Sequence, residues 1–301
     1  MNGPDAAPPR DCRWDVDGLQ LAGLAWGHEG GIPVLALHGW MDHAASFQEL
    51  APRLAGCHVV ALDLSGQGQS GHRSPHATYN IWDDLPQIAG VLDRLGWKDC
   101  VLMGHSRGAN IATLFAAVQP ERARALVALD WLVPEPVPDE SVVSTLRAFI
   151  EETRRHKTGA PRIFASKGDY IERRRSQGNS RQTSEALADR ALIEMPDGFR
   201  MRGDPRHFAS SAVKLTQGQV EAVLRAIRCP VLNLWAEDGV RSRRPKAMEL
   251  ARLGARLTPD YELAEFPGDH HFHLEPRIAA QIAGAILAFL ARNGPDPGTA
   301  S

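Results

Sequence analysis

Cys100-Val101-Leu102-Met103-Gly104-His105-Ser106-Arg107-Gly108-Ala109-Asn110 is the stretch whose reading decides the fold. An apolar run ends in Gly-x-Ser-x-Gly and passes straight into a helical pattern from Ile111 to Gln119. Strand, sharp turn and helix in that order are the layout of a nucleophile elbow, in which the serine takes a strained backbone conformation. Glycines at 104 and 108 carry no Cβ, so strand and helix can approach closely around the turn. Ser106 would then lift its hydroxyl above the sheet, beside free N–H groups of the first helical turn that can hold a developing oxyanion. A chance match in a surface loop is the competing reading, and it explains neither the strand before nor the helix after.

Outward from the elbow, strands and helices alternate. Cys12 to Trp26 reads as two strands about the turn Asp17-Gly18. Val34-Leu35-Ala36-Leu37 is an unbroken apolar run suited to a strand buried on both faces, and it ends in His38-Gly39-Trp40-Met41-Asp42. Ala45 to Leu54 has helical periodicity, His58 to Leu64 is a further buried strand, Asn80 to Leu95 is helical, and Ala123 to Leu129 is a strand ending in Asp130. The loop Asp63-Leu64-Ser65-Gly66-Gln67-Gly68-Gln69-Ser70 is glycine-rich but has no P-loop lysine, so it reads as a structural turn rather than a phosphate cradle. Further strands at Pro230–Ala236 and Tyr261–Phe266 and helices at Pro245–Leu253 and Pro276–Ala291 complete the pattern. This alternation predicts an α/β fold: a mostly parallel sheet with helices on both faces and active residues at the strands' carboxyl ends.

Between Asp130 and Cys229 the texture changes. Pro134, Pro136 and Pro138 mark a boundary, and helices are expected at Ser141–Arg155, Ala160–Arg173, Ser184–Ile193 and Thr216–Ile227, with no buried strand. The expected division is therefore a core of 11–133 and 229–293, a helical lid of 134–228, and disordered ends at 1–10 and 294–301. From Pro138 to Arg228 there are 17 Lys+Arg against 12 Asp+Glu, a surplus of five, whereas the whole chain carries −2. Within that segment Arg173-Arg174-Arg175 reads first as a solvated helix face; guidance of anionic substrates is the sharper alternative.

Composition bounds the partners. At 301 residues, 43% hydrophobic and 23% charged, the chain can bury a sizeable core. Its small net charge gives no reason to expect nucleic acid or a membrane surface as partner. Three of the four cysteines start apolar runs, which predicts buried free thiols. No apolar run approaches the roughly 18 residues of a membrane span, and Met1 to Arg10 lacks a signal-peptide core; a cytoplasmic location is expected.

With His38-Gly39, Gly66-x-Gly68-x-Ser70, Gly104-x-Ser106-x-Gly108 and the late Gly268-Asp269-His270 followed by Glu275-Pro276, the chain resembles the α/β-hydrolase superfamily over nearly its whole length. Leu37-His38-Gly39-Trp40-Met41-Asp42 and Gly104-His105-Ser106 look most like the serine hydrolase-like proteins. The segment from Gly104 through Asp130-Trp131-Leu132-Val133-Pro134 also looks like fluoroacetate dehalogenases, whose nucleophile is an aspartate where this chain has Ser106. The resemblance therefore implies acyl transfer to water through a serine ester, with no cofactor and a small-molecule acyl substrate. Dehalogenase and epoxide hydrolase chemistry is disfavoured.

A serine hydroxyl needs a base within hydrogen-bond reach. The superfamily order of serine, acid, histidine implies His270 as base, with His271 and His273 as competitors. For the acid, the superfamily's usual Gly-x-x-Asp reads Ala236-Glu237-Asp238-Gly239 here, with glycine where the aspartate should stand. Asp130, 24 residues after Ser106, is where dehalogenase-like members place theirs; it is favoured over Asp238, although a structural loop aspartate is also common there. The implied oxyanion donors are the backbone N–H groups of Trp40 and Arg107. The matching dehalogenase arginine binds a carboxylate, but its partner arginine is Asn110 here, which argues against that site. His38 and His105 read as loop props. Asp269, His270, His271 and His273 are dense enough to suggest zinc, but consecutive residues rarely aim at one point, so no metal is expected. Carbon–carbon or amide bond hydrolysis on the same residues remains an alternative, as does a non-catalytic ligand-binding hydrolase fold.

Overall fold

The computed structural model describes residues 8–158 and 162–293, so the expected tail and most of the expected disordered N-terminus lie outside the described residues. The chain enters as a hairpin of β1 (Arg10–Val16) and β2 (Leu19–Trp26). Asp17 and Gly18 both take positive φ, 53° and 78°, the twist that closes a two-residue turn without splaying the strands. Next come β3 (Ile32–Leu37), β4 (Cys57–Asp63), α1 (Asp84–Leu95), β5 (Cys100–His105), α2 (Arg107–Val118) and β6 (Ala123–Leu129). An insertion follows: α3 (Val142–Thr158), β7 (Ile163–Phe164), α4 (Lys167–Ser176), α5 (Arg181–Ala191), β8 (Leu192–Met195), β9 (Gly198–Met201) and α6 (Gln217–Ala226). The chain closes with β10 (Val231–Asp238), α7 (Lys246–Leu257), β11 (Tyr261–Asp269) and α8 (Pro276–Asn293).

Eight strands form one sheet in the order β1-β2-β4-β3-β5-β6-β10-β11, parallel from β4 to β11 and antiparallel only at β1 and β2. Alternate side chains of the buried strands feed two separate cores, as a period of two requires. Leu35, Leu37 and Leu102 pack with Ile88, Ile111 and Phe115 on one face, and Val34, Ala36 and Met103 with Phe47, Ile286 and Phe289 on the other. Leu37 lies opposite Gly104, His105 opposite Leu129, and Leu129 opposite Leu234. The residues that follow β3, β5, β6 and β10 therefore emerge at one edge of the sheet, where α/β folds gather their chemistry. All four cysteines are free thiols, and Cys57, Cys100 and Cys229 are buried. Among the described residues no helix is long and apolar enough to cross a membrane.

Two expectations are corrected. Ala45 to Leu54 is not an α-helix but two short 3-10 turns, Ala44–Phe47 and Ala51–Arg53. Pro52 has no N–H to continue an α-helical ladder across that stretch. The insertion is not wholly helical either: β7, β9 and β8 form a three-stranded antiparallel sheet across parts of two expected helices. These strands are two to four residues long and partly exposed, too short for alternation to register against helical periodicity. At Gly198, φ is 134° and an added Cβ would lie 2.3 Å from the Phe164 carbonyl oxygen, so β7 can close on β9 only over a glycine.

Buried ion pairs tie the insertion to the core. Arg190 donates from Nε and Nη2 to the Asp63 carboxylate, which also accepts the N–H groups of Ala44 (2.6 Å) and Gln69 (2.8 Å). At Gly68 a Cβ would lie 2.3 Å from that carboxyl group. An acidic centre there is the opposite of a phosphate cradle, and the glycine-rich loop is a structural turn. Nearby, Asp204 accepts from Tyr79 Oη (3.1 Å) and Arg206 Nη2 (2.7 Å), with His72 at 3.0 Å. Burial works against its charge, but the bonds from His72 and Arg206 more than offset this and hold its pKa far below the usual carboxylate range. A depressed folded-state pKa contributes stability above the unfolded value of about 3.9 and loses it as pH falls through that range. Asp204→Asn is thus expected to lower Tm at neutral pH, with the deficit shrinking once pH drops below about 4. Calorimetric scans of both proteins across pH check this; a deficit that stays constant in acid counts against it.

Candidate active site

Ser106 sits between β5 and α2 with φ 54° and ψ −115°, a conformation that costs an L-residue on the order of 1–3 kcal/mol. Its N–H donates to the Leu129 carbonyl (3.0 Å), which anchors the turn to β6. A Cβ on Gly104 would lie 2.3 Å from the Gly108 oxygen, and one on Gly108 would lie 2.0 Å from the Leu37 oxygen. Both flanking glycines are thus required by close approach, as the motif implied.

Three segments far apart in sequence converge on this serine. His270, just past β11, has Nε2 3.0 Å from Ser106 Oγ and Nδ1 2.6 Å from Asp130 Oδ2. The Asp130 carboxylate is fully buried and also accepts N–H groups from Ala236 (3.1 Å) and Val240 (2.8 Å). Asp238 is exposed at the end of β10 and belongs to no part of this chain of contacts. The glycine that follows it has a physical reason: a Cβ on Gly239 would lie 2.3 Å from Asp130 Oδ2. The space a later acid would use is filled by the carboxylate arriving from β6.

The competing histidines have other partners. His273 Nε2 lies 3.1 Å from Ser46 Oγ, and burial pushes its pKa down to about 3. His271 Nε2 is 3.5 Å from Asp42 Oδ2, and burial lowers its pKa as well. His105 donates from Nε2 to the His270 carbonyl (2.7 Å), which fixes the main chain at His270; burial, helped by the neighbouring imidazoles, keeps it neutral. His38 accepts the Leu64 N–H at Nε2 (3.0 Å), so its proton sits on Nδ1 and is donated to the Gly39 carbonyl (2.7 Å). Both rings are bonded to loop backbone.

Around the expected oxyanion donors, Met41 takes φ 52° and donates its N–H to Gln67 Oε1 (2.6 Å). This bends the chain so that a Cβ on Gly39 would lie 3.4 Å from Ser106 Cβ, which brings the Gly39-Trp40 segment against Ser106. The Arg107 side chain turns to Asp84, 3.4 Å away, whose pKa burial raises. That pair occupies the cation that dehalogenases direct at their substrate.

Sequence reasoning missed Asn233 and Gln67. Asn233, fully buried in β10, donates to the carbonyls of Ala128 (3.0 Å) and Trp131 (2.9 Å), and accepts from Trp235 Nε1 and Tyr261 Oη. It thereby holds the bend that carries Asp130, itself at φ 48°. The signal was an amide inside the apolar run Val231-Leu232-Asn233-Leu234-Trp235, which a buried strand tolerates only when its bonds are satisfied.

A cavity of about 660 Å³ opens beside Ser106 and His270, lined by Trp40 and Met41 of the core and by Phe164, Tyr170 and Phe208 of the insertion. Metal-ligand residue types gather at a different set from the one the sequence suggested. Asp42, His105 and His271 each offer one ligand atom within 4.8 Å of the others. Tetrahedral zinc brings ligand atoms to about 3.3 Å, so this set would have to contract to hold it.

The fold and this site define an α/β hydrolase, and the chain belongs to the α/β-hydrolase fold family, whose model matches residues 32–276. It is 29% identical over 294 residues to a serine hydrolase-like protein of Danio rerio, covering 94% of this chain and 89% of that one. A hypothetical protein from Pseudomonas aeruginosa PAO1 superposes with a TM-score of 0.88 at 34% identity, covering 94% of this chain and 99% of that one. A thioesterase domain from the curacin biosynthetic pathway superposes with a TM-score of 0.79 at 26% identity, covering 93% and 100%.

Proposed function

We propose that the protein is a serine hydrolase that cleaves a carboxylic ester, thioester or lactone through an acyl-enzyme. The observation that carries this reading is the continuous relay from Ser106 Oγ to His270 Nε2 (3.0 Å) and from His270 Nδ1 to Asp130 Oδ2 (2.6 Å). In the proposed mechanism Ser106 Oγ attacks the acyl carbon while His270 Nε2 takes its proton. The carbonyl oxygen becomes an oxyanion held by the N–H groups of Trp40 and Arg107. Collapse expels the alcohol or thiol, which takes the proton back from His270. Water then attacks the ester with His270 again as base, and Ser106 is released with the acid. Asp130 fixes the histidine tautomer and stabilises its cation.

Serine in place of aspartate at the elbow supports acyl transfer over dehalogenation, and the likeness to a thioesterase domain supports thioesters within the substrate class. The lid reading of the insertion is supported by its share of the cavity wall. Labelling with a fluorophosphonate, followed by peptide mapping, tests the activated serine. The adduct is expected on Ser106 and is expected to be slowed by Asp130→Asn. Turnover of p-nitrophenyl esters and acyl-CoA tests the bond cleaved. Labelling spread over several serines, with no turnover of any acyl substrate, would return the protein to the non-catalytic alternative.

A further inference from the structure

The cavity wall has an unbalanced charge. Arg162, Arg173, Arg174 and Arg243 line it, and no aspartate or glutamate does. Among the described residues none of these four arginines has a carboxylate partner, whereas Arg175 next to them pairs with Glu172 at 3.0 Å. Helix α4 explains the division. Arg173 and Arg174 lie three and four residues after Tyr170, and Gln177, just past the helix, lies four and three residues after them; all four line the cavity, whereas Arg175 is exposed. The Arg173-Arg174-Arg175 run is therefore only in part a solvated face.

Arg174 is the centre of this arrangement. Its Nε and Nη2 are both enclosed by protein and have no hydrogen-bond acceptor. Those two donors form the side-on fork that grips a carboxylate or phosphate with two parallel bonds. Enclosed donors without an acceptor are unfavourable, and a ligand anion is the group that would satisfy them. Arg243 is held beside the same helix end by its Nη1 bond to the Gln177 carbonyl (3.0 Å). The low charge of the whole chain does not account for four cations lining the cavity that Ser106 also lines.

We propose that this protein selects acyl substrates bearing an anionic group, and that Arg174, with Arg173, Arg162 and Arg243 around it, is the receptor for that anion. This inference rests on the acyl-hydrolase reading above. The shared chemistry is a carboxylate or phosphate oxyanion, carried either on the acyl part or on the leaving group.

Two matched pairs separate these sources. Mono-p-nitrophenyl glutarate against p-nitrophenyl butyrate places the charge on the acyl part. Butyryl-CoA against S-butyryl-N-acetylcysteamine places it on the leaving group. In at least one pair the anionic member is expected to have a kcat/KM about tenfold or more above its neutral partner, a ratio that declines as salt is raised. Arg174→Gln should bring that ratio to about one. Arg174→Lys should leave an intermediate ratio, since lysine supplies charge without the fork. Wild-type ratios near or below one in both pairs overturn the inference, as does a ratio that survives Arg174→Gln in folded protein. If none of the four substrates is turned over, the acyl-hydrolase reading fails instead. The anion site is then read by calorimetry of Ser106→Ala, with and without Arg174→Gln, titrated with monomethyl glutarate and butyryl-CoA. Binding of one of the two that is lost with Arg174→Gln supports the site, and no binding of either overturns it.

Discussion

Ser106→Ala is expected to lower kcat for ester hydrolysis by about ten thousand- to a millionfold, because a serine-based relay acts as a unit and loses nearly all its effect with any of its central members. The side chain is small and Ala keeps the Cβ, so the Gly39 backbone, where an added Cβ would lie 3.4 Å from Ser106 Cβ, meets the same surface. Circular dichroism and Tm should stay close to wild type. The strain at φ 54° is carried by the backbone bond from Ser106 N–H to Leu129 and by the Gly104–Gly108 contact, neither of which needs the hydroxyl. Titrating active sites with a fluorophosphonate before the assay removes contaminating hydrolases from the result. Activity above a few per cent in a folded variant would mean that another nucleophile does the chemistry.

The second large effect separates two aspartates, Asp130 just after β6 and Asp238 at the end of β10. Asp130→Asn is expected to cost on the order of ten thousandfold in kcat, as in other triads in which the amide holds the wrong histidine tautomer. Asp238→Asn should stay within about twofold, the range of ordinary surface substitutions. The difference follows from burial: Asp130 is enclosed, 2.6 Å from His270 Nδ1 and held by two backbone N–H groups, and Asp238 faces solvent. Measuring kcat for both variants decides the assignment, and a crippled Asp238→Asn beside an active Asp130→Asn reverses it.

Much of this was legible in the residue order because its causes are local. Gly-x-Ser-x-Gly between an apolar run and a helical one specifies a turn that only glycines permit, and the structure has those contacts at Gly104 and Gly108. The turn residues Asp17-Gly18 of the hairpin and the apolar runs within β3, β4 and β6 likewise carry their environment in their own pattern. Patterns failed where an element is too short or its fate depends on a distant neighbour. Pro52 broke an apparent helix, and the two- to four-residue strands of the insertion exist only because they pair with one another.

The residue order by itself determined the parallel sheet, the elbow and the candidate nucleophile, since periodicity and the steric needs of glycine act over a few positions. Only the tertiary structure decided which of three late histidines reaches Ser106 and which aspartate reaches that histidine. It also decided which two of three consecutive arginines turn into the cavity. Those outcomes depend on distances between segments up to 164 residues apart in the chain, and a one-residue change of facing on a helix or strand end reverses them. Gly239 joins the two levels: in sequence it is a missing acid, and in the fold it is the space that Asp130 occupies.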